Sequence, residues 1–366
     1  MKSYNHLYEQ FISDENIYAA IKSFGKNTKD KKKKKKILKI KNNPEESLER
    51  VKKCIRNFKH AEHTPIIIYD GISKKKRTII VPTIDEQIVH HMIINVLKPI
   101  IMHGMYEHAY GSLPKRGIHK AAKKIKRIIR KNNGNIKFCL KMDIQKFFNS
   151  INREDLVNFL KKKIHDEKFL KVLLEVIDST EDGLPLGFYT SHWLAHWILQ
   201  DLDHFIKEKL HAYAYIRYVD DMVIFGPNKR KLHKMRKEIS NFLYEHYHLK
   251  LKENWQVFRF DYIKHGKHRG RPLDFLVFKF YRDRIVMRKN IMLKISRKCE
   301  KIAKKENITI HDMCQLIAYL GWPKHTDSHD FYVKHVRPCV NPRKVKIIMS
   351  EHNKKMNKKK GEIECE

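Results

Sequence analysis

Asp220 and Asp221 stand side by side in the stretch Tyr218-Val-Asp-Asp-Met-Val-Ile-Phe225, where every other residue is apolar or aromatic. Two carboxylates held among side chains that normally bury themselves repel each other, so the pair calls for a cation. A third acid, Asp143, ends a separate strand-like stretch, Ile136 to Met142. If the two stretches are neighbouring strands, three carboxylates converge on one point, a set of hard oxygen donors suited to Mg2+. Two such ions about 4 Å apart would activate an attacking 3′-hydroxyl and stabilise a leaving pyrophosphate. Taken alone, an Asp-Asp dipeptide is equally a pair of turn-forming side chains.

The elements that must position these acids are readable from periodicity. Ile136 to Met142 reads as a buried strand, and Tyr213 to Tyr218 with Met222 to Phe225 as a hairpin whose tip carries the Asp pair. Between them lie amphipathic helices at 152–164, with Asn152 as N-cap, and at 168–178. The turn Gly183-Leu-Pro-Leu-Gly187 then feeds a helix from about Thr190, with Trp193, Trp197 and Leu202 on one broad face. A helix at 231–247 precedes strands near 255–260 and 275–281.

Upstream, Pro65 to Tyr69, the turn Asp70-Gly71 and Arg77 to Val81 read as a second hairpin with Lys74, Lys75 and Lys76 in its loop. Helices follow at Ile84 to Ile101 and His119 to Lys131. Residues 1–60 are helical except for the run Lys31 to Lys36, read as a mobile loop that is either a solvated charge cluster or a phosphate clamp. From Arg288 onward the chain is helical and basic, and 351–366 reads as frayed. This order is α+β, with an antiparallel sheet covered on one face by helices.

With 78 Lys+Arg against 41 Asp+Glu, the 366-residue chain carries a formal charge of +37. Charge of that size, spread along the whole chain, points to phosphate backbones rather than to a membrane surface. No apolar run approaches the roughly 18 residues of a membrane span, which excludes an integral membrane protein. The six cysteines contain no CxxC pair, so neither a disulfide framework nor a zinc site is expected, and reduced thiols point to the cytoplasm.

Read in order, Arg77 with Pro82, Tyr110-Gly111, KMDIQKFFNSI at 141–151, GLPLGFYTS at 183–191, YVDD at 218–221, LKLKENWQVF at 249–258 and DFLVFKF at 274–280 resemble the successive motifs of reverse transcriptases. The resemblance implies a right-hand polymerase. A basic helical extension occupies 1–60, fingers 61–135, a palm of antiparallel sheet and helices 136–282, a helical thumb 283–348 and a disordered tail 349–366. It also implies that Asp143, Asp220 and Asp221 are catalytic and, with the carbonyl of Ile144, hold two Mg2+ ions, for which Mn2+ can substitute. Arg77 and one lysine, assigned as Lys75, would reach the triphosphate of the dNTP. Phe148 would lie under the incoming sugar and exclude a 2′-hydroxyl.

Leu186-Gly187 completes the nucleotide pocket. Many relatives carry glutamine before this glycine, whereas an aliphatic residue resembles the diversity-generating retroelement enzymes, which copy RNA with poor fidelity. Loss of a polar contact weakens discrimination, so low fidelity is the expectation. Ser191-His192 departs from the Ser-Gln usual in that subfamily, and similar substitutions occur in antiphage-defence reverse transcriptases. Lys250 or Lys252 would supply a proton to pyrophosphate, and Phe275, Leu276 and Val277 resemble the primer grip, with Val277 where glycine is usual. Arg288, Lys294 and Lys298 would track an RNA:DNA duplex. The expected partners are an RNA template, a DNA primer and product, dNTPs, a non-coding or template RNA and an accessory protein. A catalytically silent RNA-binding scaffold and an RNA-dependent RNA polymerase are the rival readings.

Overall fold

The computed structural model describes residues 4–25, 28, 31–56, 58–61, 63–69, 76–131, 134–179, 183–305, 308–339 and 347–351. The chain divides into two compact units, Met1–Gly117 with Phe138–Val257, and Ile118–Lys137 with Phe258–Glu366.

In the first unit the helix Ile84–His103 is apolar on nearly every side, and Ile88, Val89, Met92, Ile93 and Leu97 are fully buried. Helices Asp14–Ser23 and Tyr189–His204 pack against it. A capping box starts it: Thr83 accepts the Glu86 N–H and Glu86 accepts the Thr83 N–H at 2.6 Å. The other Glu86 oxygen accepts the Ala61 N–H at 2.7 Å. His60, His63 and Glu86 do bring possible ligand atoms within 4.8 Å of one another. Both Glu86 oxygens are already taken by N–H donors, so the cluster is accounted for as a cap.

The central sheet runs in the order Ala109–Tyr110, Ala214–Tyr218, Asp221–Gly226, Phe138–Asp143 and Gln256–Arg259. The three middle strands are antiparallel, and the helix Lys229–Tyr247 packs on two of them. The sheet is not wholly antiparallel as expected. Ala109–Tyr110 pairs parallel to Arg217 and Tyr218, because the long connection between them allows a same-direction return that a hairpin forbids. The hairpin Ile66–Tyr69 with Lys76–Ile79 forms in the expected place. Its loop, including Asp70, Gly71, Lys74 and Lys75, lies outside the described residues, as do 352–366 of the expected tail, while 349–351 are helical.

Two further expectations fail. Lys31 to Lys36 is no loop but the start of a helix, Lys31–Asn42. Ile37 and Ile40, three residues apart, are buried in the hydrophobic core, Lys33 donates to Gln87 Oε1 at 3.0 Å, and these contacts outweigh repulsion between neighbouring lysines.

The second failure lies in the other unit, where 275–281 is not one strand. Leu273–Phe275 and Phe278–Phe280 pair as a hairpin with Phe275 opposite Phe278, and Ile285–Met287 adds a third strand. Leu276 and Val277 form the two-residue turn with φ of 55° and 71°. A hairpin of this kind requires positive φ at both central residues, which favours Asn and Gly and strains a β-branched side chain. Val277→Gly is therefore expected to stabilise the protein by about 1 kcal/mol, the relief of strain exceeding the entropy cost of glycine. A higher urea midpoint at unchanged m-value is the expected reading.

Candidate active site

The strand register explains why the three aspartates meet. Asp143 lies opposite Asp221, and Asp221 opposite Tyr218. Asp143 ends its strand and Asp221 begins its own, so antiparallel pairing puts both at one end of the sheet. Val219 and Asp220 are then the two residues of the hairpin turn. Val219 has a φ of 55°, and its N–H donates to the Tyr110 carbonyl at 2.9 Å.

Beyond Asp143 the chain zips onto a neighbouring segment. Ile144 bridges Leu251, through the Gln145 N–H to the Lys250 carbonyl and the Lys252 N–H to the Asp143 carbonyl, both 2.8 Å. The carbonyl of Ile144 takes no part in that pair of bonds. The bridge delivers the Lys252 ammonium to an ion pair with Asp143 Oδ2, whereas the Lys250 side chain is exposed.

Electrostatics at this point favour a cation. Asp143 Oδ1 is buried with no hydrogen-bond partner. Burial, then the charges of Asp143 and Asp221, push the Asp220 carboxyl up to about 7. Burial works to lower the Lys252 ammonium, but its hydrogen bond to Asp143 and the three carboxylate charges leave it raised. Three carboxylates are an all-oxygen donor set, and the orphaned Asp143 oxygen fits a hard divalent ion.

Since an ion must displace the proton that Asp220 holds below about 7, divalent-ion affinity is expected to rise about tenfold per pH unit up to that point and then level off. Calorimetric titration with Mn2+ from pH 5.5 to 8.5 checks this. Asp220→Asn should remove the slope.

The residues expected beside the nucleotide belong to the same unit. Phe147 is buried in the core, while Phe148 beside it is only half-buried, so the two rings have different surroundings. Phe148 meets Phe147 edge-on at 5.5 Å and His192 edge-on at 5.1 Å. The turn from Gly183 to Gly187 seats against this segment. The Leu184 N–H donates to the Phe148 carbonyl at 2.7 Å, and the Ile80 N–H to the Leu186 carbonyl at 2.8 Å. A Cβ on Gly183 (φ +62°) would lie 2.2 Å from the Phe148 oxygen, and one on Gly187 (φ +113°) 2.1 Å from the Ile80 oxygen. Only glycine lets the backbones approach this closely. The turn thus ties Phe148 to the strand that carries Arg77, an exposed residue. Leu186 is half-buried, and Lys75 lies outside the described residues.

In the second unit Phe275 and Leu276 are buried. Arg288 pairs with Asp274 at 2.5 Å and Lys298 with Asp312 at 3.4 Å, while Lys294 is half-buried.

Sequence reasoning passed over two residues that build this site. His192, whose pKa burial lowers, was visible only as a departure from Ser-Gln. Arg217 is completely buried, and its signal was a lone charge in an apolar strand.

Residues 61–276 match the profile of the family described as Reverse transcriptase (RNA-dependent DNA polymerase), more than half of the 366 residues. The group II intron-encoded protein LtrA of Lactococcus lactis subsp. cremoris is 26% identical over 212 residues, covering 54% of this chain and 34% of LtrA. The retron Ec73 reverse transcriptase of Escherichia coli is 27% identical over 172 residues, 42% of this chain and 51% of that protein. The matches therefore span about a third to a half of these relatives. The structure of telomerase from Candida albicans with a TWJ fragment of telomeric RNA aligns at a TM-score of 0.46 and 11% identity, covering 78% of this chain and 58% of that one. Among the described residues no helix is long and apolar enough to cross a membrane.

Proposed function

The chain belongs to the reverse transcriptase (RNA-dependent DNA polymerase) family, and from that we propose that it extends a DNA primer along an RNA template with dNTPs. The observation that carries the proposal is the meeting of Asp143, Asp220 and Asp221 at one end of the sheet, with a buried Asp143 oxygen left without a partner. These carboxylates and the Ile144 carbonyl would hold two Mg2+ ions, or Mn2+ in their place. When bound, the ions supply charge that activates the primer 3′-hydroxyl and neutralises the pyrophosphate.

This chain's own residues do the rest. Lys252 is held on Asp143 as an ammonium, a proton donor beside the position of the departing pyrophosphate. Arg77, and Lys75 from the loop, pair with triphosphate oxygens. The Phe148 ring closes the space a 2′-hydroxyl would need. We assign 61–135 to fingers, 136–282 to palm and 283–348 to thumb, with Phe275, Leu276 and Val277 as primer grip. Arg288, Lys294 and Lys298 contact the duplex backbone, Arg288 and Lys298 once Asp274 and Asp312 yield to phosphate. A non-coding or template RNA and an accessory protein complete the assembly, in keeping with the charge of +37.

Primer extension on an RNA template with Mg2+ tests the reading, with dNTPs and NTPs in separate reactions. DNA product is the expected outcome. Product from NTPs alone would mean an RNA polymerase, and no product would mean a silent RNA-binding scaffold. Leu186 favours a finer reading: it brings no polar atom to the pocket, which supports error-prone copying of the diversity-generating retroelement type.

A further inference from the structure

Arg217 and Asp203 are both fully buried. The guanidinium forks onto the carboxylate, Nε to Oδ1 at 2.7 Å and Nη2 to Oδ2 at 2.5 Å, and the Tyr215 hydroxyl donates to Oδ1 at 2.8 Å. The remaining nitrogen faces the active site. Arg217 Nη1 donates to the Val219 carbonyl at 3.0 Å and to His196 Nδ1 at 3.2 Å. Because Arg217 can only donate, His196 Nδ1 must accept, so its proton sits on Nε2, which donates to the Gly111 carbonyl at 2.7 Å. Gly111 in turn leaves no room beside Val219: a Cβ there would lie 2.7 Å from Val219 Cγ2.

Val219 is thus gripped at both backbone groups, its N–H by the Tyr110 carbonyl and its carbonyl by the Arg217 side chain two residues back on the same hairpin, a side chain itself anchored from outside the hairpin by Asp203 and His196. It needs that grip. A β-branched residue at a φ of 55° is strained and would relax elsewhere if released, carrying the next residue, Asp220, with it. A well-packed apolar pair in place of a buried ion pair is commonly as stabilising or more so. What the guanidinium adds is a directed N–H.

We propose that the Asp203–Arg217–His196 network is the positioning device of the catalytic turn, holding Val219 in its left-handed conformation so that Asp220 and Asp221 meet Asp143. The proposal rests on the polymerase reading for its effect on rate, but not for its effect on geometry or on ion binding.

The double variant Asp203→Leu/Arg217→Met removes both charges together and leaves neither unpaired. It should melt cooperatively and bind an RNA:DNA duplex like the parent. Its kcat for dNTP addition should fall about a hundredfold with KM for dNTP little changed, as misplacement of a reacting group costs. Mn2+ binding, read by electron paramagnetic resonance, should weaken about tenfold, as loss of an outer-sphere support does. Hydrogen exchange at the Val219 amide should accelerate. Adding Val219→Gly, which adopts positive φ freely, should restore part of the kcat. Where the double variant does not fold, Arg217→Lys keeps a charge on Asp203 but cannot fork to Val219, and should show the same pattern. A folded variant with parental Mn2+ affinity and parental Val219 exchange overturns the proposal, including where the parent adds no nucleotide and the polymerase reading itself has failed.

Discussion

Asp220→Asn is expected to slow nucleotide addition by about a thousandfold or more, the scale of losing a directed electrostatic contact at a reacting centre. Duplex binding should hold or tighten slightly. The change keeps shape and removes only charge, and that charge sits where the Asp143 and Asp221 carboxylates already oppose it. On the proposed function, affinity for nucleic acid would come from the excess of positive charge spread over the chain, +37 in all, which loss of one acid only increases.

Thermal stability separates lost chemistry from misfolding. Burial and the Asp143 and Asp221 charges raise the Asp220 carboxyl in the fold to about 7, well above its ordinary range, so its contribution is full below the unfolded value and is lost as pH rises through 7. At pH 8 the metal-free parent carries the unfavourable ionised form and the Asn variant does not. The variant should therefore melt no lower than the parent at pH 8. Single-turnover extension, fluorescence anisotropy with a labelled duplex and thermal melts at pH 8 check the three statements. Near-parental extension would remove Asp220 from the chemistry.

The second large effect is on the sugar. Phe148→Ala should reduce the preference for dCTP over CTP, as a ratio of kcat/KM, by about a hundredfold, through gain of the ribonucleotide rather than loss of the deoxynucleotide. The ring is partly exposed and held edge-on by Phe147 and His192. Its removal opens space at the pocket surface without a cavity deep in the core, so the fold should survive. Steady-state kinetics with the two nucleotides decide the matter, and an unchanged ratio would place the gate elsewhere.

The convergence of the acids was legible because each lies at the end of a strongly apolar strand and pairs of such strands dictate register. The two glycines of the 183–187 turn were legible as a turn, but not as points of contact with Phe148 and Ile80, which only tertiary structure supplies. The helix at Lys31–Asn42 was hidden because its charges are local while the burial of Ile37 and Ile40 depends on distant partners. The break at Leu276-Val277 was hidden because a turn made of two β-favouring residues carries no Gly or Asn to mark it. Lys250 and Lys252 stood equal since residues two apart on a strand share a face. The ion pair of Lys252 with Asp143, against an exposed Lys250, is what separates them.

Leu186 and Gly187 are neighbours with unequal freedom. Leu186 contributes its carbonyl to Ile80 whatever side chain it bears, whereas any side chain at 187 would begin 2.1 Å from a main-chain oxygen. Libraries meant to alter copying accuracy thus have one open position here rather than two. A screen that returns a replacement at 187 will have displaced the main chain near Ile80, and its phenotype should be read as altered closure of the hairpin, not as a reshaped pocket.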